Sequence, residues 1–566
     1  MPLHPEPPWS KDHPDGAAHR RTEGHRTLTE AWRERVADAP DSPATVYFDG
    51  VMTAREIDDD SDALAVGLAE LGVGRGSRVG VHLQNIPQYV LTMLALWKLG
   101  ATVLPLNPMY RGQELRRLVE DAAPVGIVCA DTQVGESRRT LSGSPVQWLL
   151  STSDRDLQSR DDPRVFTPAE RSFPSSDGDL VRLIEHHRGR RPPRLELTGE
   201  DIALLTYTSG TTGPPKGAMN THANVLAVTS TFGAYVGLRR DDAVLAVAPL
   251  FHITGAVINA ALALLHGCRL VFTNRFHPEV VLDAFTEHGV TFTIGSITVF
   301  NALSESPRAT PESFRSVRAL YSGGAPIPPA TVERFRERFG SYIHNAYGMT
   351  ESTSGVIAVP PGEVAPVDEA SGCLSIGKAL PHMSARAVDP SGTPVPPGAQ
   401  GELELSGPQV VPGYWRNAEA TATTFPSGRL RTGDVAVIDH DGWVYLVDRL
   451  KDQINVSGYK VWPREVEDVL HQHPSVHEAA VVGLPDDYRG EAVVAYVSLA
   501  AGTTATETEL VAFTRERIAA YKRPREVHVV EELPKTLTGK IRRRALRDPD
   551  TGTPAGGPRR EGGNDT

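Results

Sequence analysis

The sequence predicts an α/β protein: a large N-terminal domain of α/β layers with a β-rich subdomain, followed by a small, mobile α+β C-terminal domain. Three observations carry this reading. Apolar strands alternate with helical segments over residues 28–129 and again over 201–345. Over 401–448 the pattern changes to short, closely spaced strands separated by Gly and Pro turns. After Arg449 helices and strands return in a shorter run. Alternation of the first kind favours a parallel sheet, because parallel strands need a crossover connection.

The elements follow in order. Residues 1–27 are rich in Pro, His, Gly and charge and read as a flexible arm. Residues 63–71 read as an amphipathic helix, and a Gly-Val-Gly turn leads into an apolar strand at 78–83. Residues 89–99 are helical again, and 101–106 form a buried strand. Residues 151–194 carry many Ser, Asp, Arg and Pro and end in a basic run. That run reads as a solvated surface loop, with a patch for a phosphate tail as the alternative. An apolar strand follows at 202–206. The N-terminal domain is expected over 28–448 and the C-terminal domain over 449–547, with a hinge near Lys451. The latter holds a helix at 463–472, strands at 478–484 and 492–498, a helix at 507–521 and a strand at 527–530. Residues 548–566 are Gly/Pro-rich and read as disordered.

Composition narrows the function class. The chain has 566 residues, 40% of them hydrophobic and 23% charged, as in soluble globular proteins. Its formal net charge of −12 argues against broad coating of nucleic acid. Cys129, Cys268 and Cys373 lie too far apart for a zinc spacing or a disulfide framework, which favours a cytoplasmic location. The longest helix-like apolar segment, 256–265, is about half the length of a membrane span, and no signal peptide is legible. His471, His473 and His477 are read as surface residues, since positions two apart on a helix face different ways.

The chemistry concentrates in Tyr207-Thr208-Ser209-Gly210-Thr211-Thr212-Gly213-Pro214-Pro215-Lys216-Gly217, which follows the 202–206 strand. Its glycines permit tight turning with exposed amides, and its hydroxyls and ammonium add donors, so a polyanion is the natural guest. It is not a Walker loop, because no Gly-Lys-Ser/Thr closes it at the required spacing. The string closely resembles the phosphate loop of the adenylate-forming superfamily, which contains acyl-CoA synthetases, nonribosomal peptide adenylation domains and beetle luciferases. Further segments resemble that family's motifs in its order. Gly323-Gly324-Ala325-Pro326 resembles the strip beside adenine, and Asn345-Ala346-Tyr347-Gly348-Met349-Thr350-Glu351 the adenine and metal motif. Thr432-Gly433-Asp434 resembles the ribose motif and 448–452 the hinge. Ser457-Gly458-Tyr459-Lys460 resembles the loop beside the thiol tunnel, and 534–540 the C-terminal lysine motif.

The resemblance implies ATP, Mg²⁺ and coenzyme A as cofactors, and catalytic roles for Lys540, Thr350, Glu351 and His252. Attack of a carboxylate on the α-phosphate brings two anions together, so the site must supply positive charge where charge builds up. Lys540 would bind both, Glu351 would hold Mg²⁺, and Thr350 would donate to the α-phosphate. Asp434 and Arg449 would hold the ribose, and Tyr347 would offer a face to adenine. The acid pocket is placed at His252, Thr254, Gly255, Asn259, Gly295, Ser296, Phe300, Gly324 and Gly355. No carboxylate stands in Pro249–Gly255 to pair with an ammonium, which disfavours α-amino acids. The small residues suggest room for a long-chain or bulky polycyclic, terpenoid or aryl acid. Gly458, Tyr459 and Lys460 would admit coenzyme A. The partners expected are thus the small-molecule acid, ATP and coenzyme A, with no nucleic acid and no membrane span; a homodimer is left open. Four other readings are carried. They are a ligase running only one half-reaction efficiently, an acyl-AMP ligase loading a separate carrier protein, a luciferase-like monooxygenase, and a catalytically dead binding protein.

Overall fold

The computed structural model describes residues 27–166, 178–208, 215–325, 327–369, 371–449, 452–456, 459–486, 490–536 and 540–547. Of the arm expected at 1–27, residues 1–26 lie outside them, as do the tail at 548–566 and the hinge residue Lys451; Thr27 is instead the buried N-cap of the helix Leu28–Asp38. The described residues form two compact units, divided between Leu446 and Val447, with 371–372 grouped with the second.

The first unit carries two large, mostly parallel sheets. In one, strands Trp148–Thr152, Gly126–Ala130, Arg78–His82, Thr102–Pro105 and Ile202–Tyr207 run parallel in that order. Gly217–Thr221 closes it antiparallel to Ile202–Tyr207. The other has Ile343–Met349, Ala319–Ser322, Phe292–Gly295, Ala243–Leu245 and Arg269–Phe272 as its parallel centre. A four-stranded sheet of Ser384–Val388, Gln400–Ser406, Leu430–Ile438 and Val444–Arg449 is the β-rich part. In the second unit, Val476–Asp486 pairs with Gly490–Leu499, which also pairs with Glu526–Val529, and Pro463–Leu470 and Glu507–Arg515 are helices. Central strands are buried on both faces, as in Thr102–Pro105.

Several elements differ from the sequence expectation. The helix expected at 63–71 spans Ala54–Glu70, started by a reciprocal capping box between Thr53 and Glu56. Residues 151–194 are not all loop: Leu180–His187 is a helix whose N-cap, Asp179, accepts from the Arg182 amide. The basic run after it is matched by acids, with Arg190 on Glu70 and Arg191 on Asp59. The helix expected to reach residue 521 ends at Arg515, and a single tight turn, Ala520–Lys522, precedes Pro524. The segment expected as helix at 256–265 begins as a π-helix, Gly255–Ala261, and continues as an α-helix, Leu262–His266. No helix among the described residues is long and apolar enough to cross a membrane. All three cysteines are buried free thiols.

Two buried histidines link the first unit's stability to pH. The His222 Nδ1 accepts from the Leu28 amide at 3.2 Å, and the His82 Nε2 lies 2.8 Å from the Asn107 carbonyl oxygen. Burial pushes both down to about 4. Each imidazole is therefore neutral in the fold, while the unfolded chain gains its proton near pH 6.5. Their contribution is complete above pH 6.5 and is lost as pH falls towards 4, by about 3 kcal/mol per residue. Thermal melting should fall steeply over that window. His222→Gln, which keeps an acceptor but cannot protonate, should flatten the dependence; an unchanged pH profile would contradict this.

Candidate active site

The phosphate loop is held at its base. The Thr208 amide donates to the Lys216 carbonyl at 2.9 Å, and the Lys216 amide donates to the Thr208 hydroxyl at 3.3 Å. Ser209, Gly210, Thr211, Thr212 and Gly213 lie outside the described residues, as does Pro326. The Lys216 ammonium sits 5.0 Å over the Tyr414 ring.

The nucleotide motifs converge around the C-terminal ends of the second large sheet, where open α/β folds bind ligands. Strand Ala319–Ser322 runs into Gly324, whose φ of +83° suits glycine and whose missing Cβ faces open space. Ala325 follows it. Strand Ile343–Met349 carries Asn345, Ala346, Tyr347 and Gly348. The Asn345 side-chain amide donates to the Ser375 carbonyl at 3.3 Å. The Tyr347 hydroxyl donates to Asp434 Oδ2 at 2.7 Å, so the adenine and ribose motifs are joined directly. Asp434 is 8% exposed, a buried acceptor for hydroxyl donors.

Thr350–Ser352 is one 3₁₀ turn, followed by Thr353 and Ser354 with φ of 53° and 91°. Consecutive positive φ at non-glycine residues is strained and needs support. Asn220 supplies it: its side-chain amide donates to the Thr350 carbonyl at 3.0 Å and to the Thr353 hydroxyl at 3.1 Å. Glu351 is 6% exposed, and its Oε1 accepts from the Tyr414 hydroxyl at 2.6 Å. A buried carboxylate has the oxygen donors that a hard divalent cation prefers.

The acid side is less open than its small residues suggest. A Cβ on Gly255 would overlap the Pro249 carbonyl oxygen. One on Gly295 would lie 2.9 Å from Val247 Cγ1, and one on Gly355 3.2 Å from both Ile258 and Phe232. These glycines serve close packing rather than opening volume. Phe300 is likewise a core residue: fully buried, with its ring edge-on to Phe335 at 6.0 Å. The polar residues expected here make local contacts. The Ser354 hydroxyl donates to that of Thr254 at 3.3 Å, and the His252 Nδ1 accepts from the Thr254 amide at 3.3 Å. Ser296 pairs with Thr298 at 2.6 Å. Asn259, on the π-helix, is fully buried and neither amide atom has a hydrogen-bond partner among the described residues. Buried amides in that state are completed by water or a ligand group.

The second unit holds Lys540. Its amide donates to the Thr536 hydroxyl at 3.1 Å, and the Thr536 amide donates back to its carbonyl at 2.6 Å. Lys535 pairs with Glu478 at 2.8 Å, while Arg543 pairs with Glu467 at 2.7 Å and lies within 3.8 Å of both Asp448 and Asp452. The Asp448 carboxyl is pushed up to about 6 by burial. Arg449 donates its amide to Asp448 at 2.7 Å. Gly458, and the side chains of Tyr459 and Lys460, lie outside the described residues; the backbones of Ile454–Val456 and Tyr459–Val461 pair antiparallel. Among the described residues no group of His, Cys, Asp and Glu gathers as a metal centre; His473 packs edge-on against Phe513.

Comparison with known proteins matches residues 32–415 to the AMP-binding enzyme family and 465–540 to the AMP-binding enzyme C-terminal domain. The chain belongs to the AMP-binding enzyme family. It is 35% identical to a long-chain-fatty-acid–CoA ligase of Escherichia coli O157:H7, over 93% of this chain and 94% of that one. It is 34% identical to a feruloyl-CoA synthase of Amycolatopsis sp, over 90% and 96%. Among solved structures, ATP-bound MatB from Rhodopseudomonas palustris matches with a TM-score of 0.83 at 27% identity, covering 93% of this chain and 99% of that one. The anthranilate CoA ligase AuaEII in complex with anthranoyl-AMP matches at 0.83 and 26%, covering 92% and 96%. The adenylate-forming superfamily named from the motifs is thus the right one, and the chain is an AMP-forming acid–thiol ligase that makes acyl-CoA from an acid, ATP and coenzyme A. Two supporting residues escape a motif reading: Tyr414 and Asn220. The only trace of the first is an aromatic pair, Tyr414-Trp415, directly after Gly413.

Proposed function

We propose that this ligase activates a hydrophobic, non-amino carboxylic acid, either a long-chain fatty acid or a bulky aryl, polycyclic or terpenoid acid, in the cytoplasm. The observation that carries the reading is the chemistry of 249–261. No carboxylate stands there to receive an ammonium, and the π-helix Gly255–Ala261 is buried and apolar apart from Asn259. The relatives named for long-chain fatty acids and for ferulate support it. The glycines do not, because each is packed against its neighbours.

In this reading the phosphate loop and Lys216 cradle the phosphates, Tyr347 stacks on adenine and Asp434 with Arg449 receives the ribose hydroxyls. Lys540 neutralises the approach of the acid's carboxylate to the α-phosphate. Mg²⁺, when bound by Glu351, would offset phosphate charge. The second unit then turns about Lys451, bringing Gly458, Tyr459 and Lys460 to admit the thiol of coenzyme A. His252 and Thr254 stand on the acid side.

The test separates the two steps: ATP–pyrophosphate exchange with a panel of acids, then thioester formation from supplied acyl-adenylate. Exchange with C8–C16 or polycyclic acids is expected to exceed that with acetate or propionate, and the opposite preference would overturn the reading. Efficient thioesterification without exchange would instead mark a ligase that runs one half-reaction. Transfer to a carrier protein but not to coenzyme A would mark a carrier-loading one.

A further inference from the structure

Tyr414 belongs to none of the motifs that bind nucleotide or acid, yet it touches both charges of the phosphate side. Strand Gly217–Thr221 leaves the phosphate loop and is zipped to the Tyr414 segment. The Met219 amide donates to the Gly413 carbonyl at 3.1 Å, and the Trp415 amide to the Gly217 carbonyl at 2.7 Å. This pairing fixes the Tyr414 backbone beside Ala218. From there the side chain reaches in two directions. Its hydroxyl donates to Glu351 Oε1 at 2.6 Å, and its ring face lies under the Lys216 ammonium at 5.0 Å. The Glu351 backbone is held from the same segment, its carbonyl accepting from the Val411 amide at 2.9 Å.

We propose that Tyr414 is a positioning residue that sets the cation-binding carboxylate and the phosphate-loop lysine as one unit. By engaging Oε1 of Glu351 it orients the carboxylate, which would hold the divalent cation. By seating the Lys216 ammonium on its ring it fixes the height at which that charge meets the phosphates. A charge-assisted hydrogen bond of this length is stronger than a neutral one, so the carboxylate's orientation depends on it. The proposal rests on the reading of Glu351 as the cation ligand.

The experiment compares Tyr414→Phe, Tyr414→Leu and Glu351→Gln with the parent chain. Binding of ATP is measured by calorimetry with and without Mg²⁺, and adenylation is titrated with Mg²⁺. Tyr414→Phe, which removes only the hydroxyl, should raise the half-saturating Mg²⁺ about tenfold. It should weaken binding of the Mg²⁺–ATP complex to a similar degree. Metal-free ATP should bind within about twofold of the parent, and saturating Mg²⁺ should restore most of kcat. Tyr414→Leu, which also removes the ring, should weaken metal-free ATP as well. If Glu351→Gln leaves Mg²⁺ dependence unchanged, the assignment of Glu351 falls. If Glu351→Gln shifts it and Tyr414→Phe does not, the proposal for Tyr414 falls. A Tyr414→Phe protein with a lowered Tm and a kcat reduced equally at every Mg²⁺ concentration would show a merely structural role and would also overturn it.

Discussion

Replacing Lys540 with alanine is expected to slow acyl-adenylate formation by about 10²–10³-fold, the usual cost of removing one preorganised group that meets transition-state charge. Thioester formation from supplied acyl-adenylate should stay within about threefold of the parent, because that step involves no approach of carboxylate to phosphate. The Lys540 backbone is held by its reciprocal bonds with Thr536, and the flanking segment is anchored by Lys535 on Glu478 and Arg543 on Glu467. Tm is recorded alongside, so that a folding defect is told apart from a loss of chemistry. Equal losses in both half-reactions would remove Lys540 from the adenylation step.

Gly458→Leu should produce the mirror image. Under the proposed assignment the thiol arm of coenzyme A passes this residue, and a leucine side chain would fill that passage. Thioesterification should fall by about 100-fold or more, since a ligand overlapping a new side chain is excluded rather than weakened. Pyrophosphate exchange should persist, because Glu351, Asp434 and the base of the phosphate loop belong to the other unit. Together the two variants form a crossed pair, each blocking one step and sparing the other. A folded Gly458→Leu enzyme with parental thioesterification would refute the thiol route.

The nucleotide motifs of the candidate site are legible in the sequence for a physical reason. Binding a nucleotide triphosphate makes local demands on the chain: glycines, hydroxyls and a lysine in one loop, an acid after a strand. Such demands leave contiguous strings, and 207–217 and 345–351 are two of them. What stayed hidden is non-local. Whether Gly255 opens a pocket or admits a carbonyl depends on Pro249, across a turn whose path no periodicity records. Phe300 looks the same in sequence whether it lines a cavity or meets Phe335. Tyr414 matters because pairing with Gly217–Thr221 brings it to Glu351 and Lys216, both far away along the chain. The early start of the helix at Ala54 is a different failure. Its Thr53/Glu56 capping box is local and visible, but the polar first turns mask the apolar period.

The burial of all three thiols has a practical consequence. Cys129, Cys268 and Cys373 are each fully enclosed, and burial pushes the Cys268 thiol up to about 12. A thiolate is the species that attacks maleimides and thioesters alike, so these side chains are poor nucleophiles towards either. An enzyme that releases activated thioesters is thereby spared acylation of its own cysteines. For the same reason the unmodified sequence is a ready background for spectroscopic labelling. One exposed cysteine placed in each unit would take a fluorophore selectively, and the distance between the two dyes could then be followed through a turnover without first stripping the native residues.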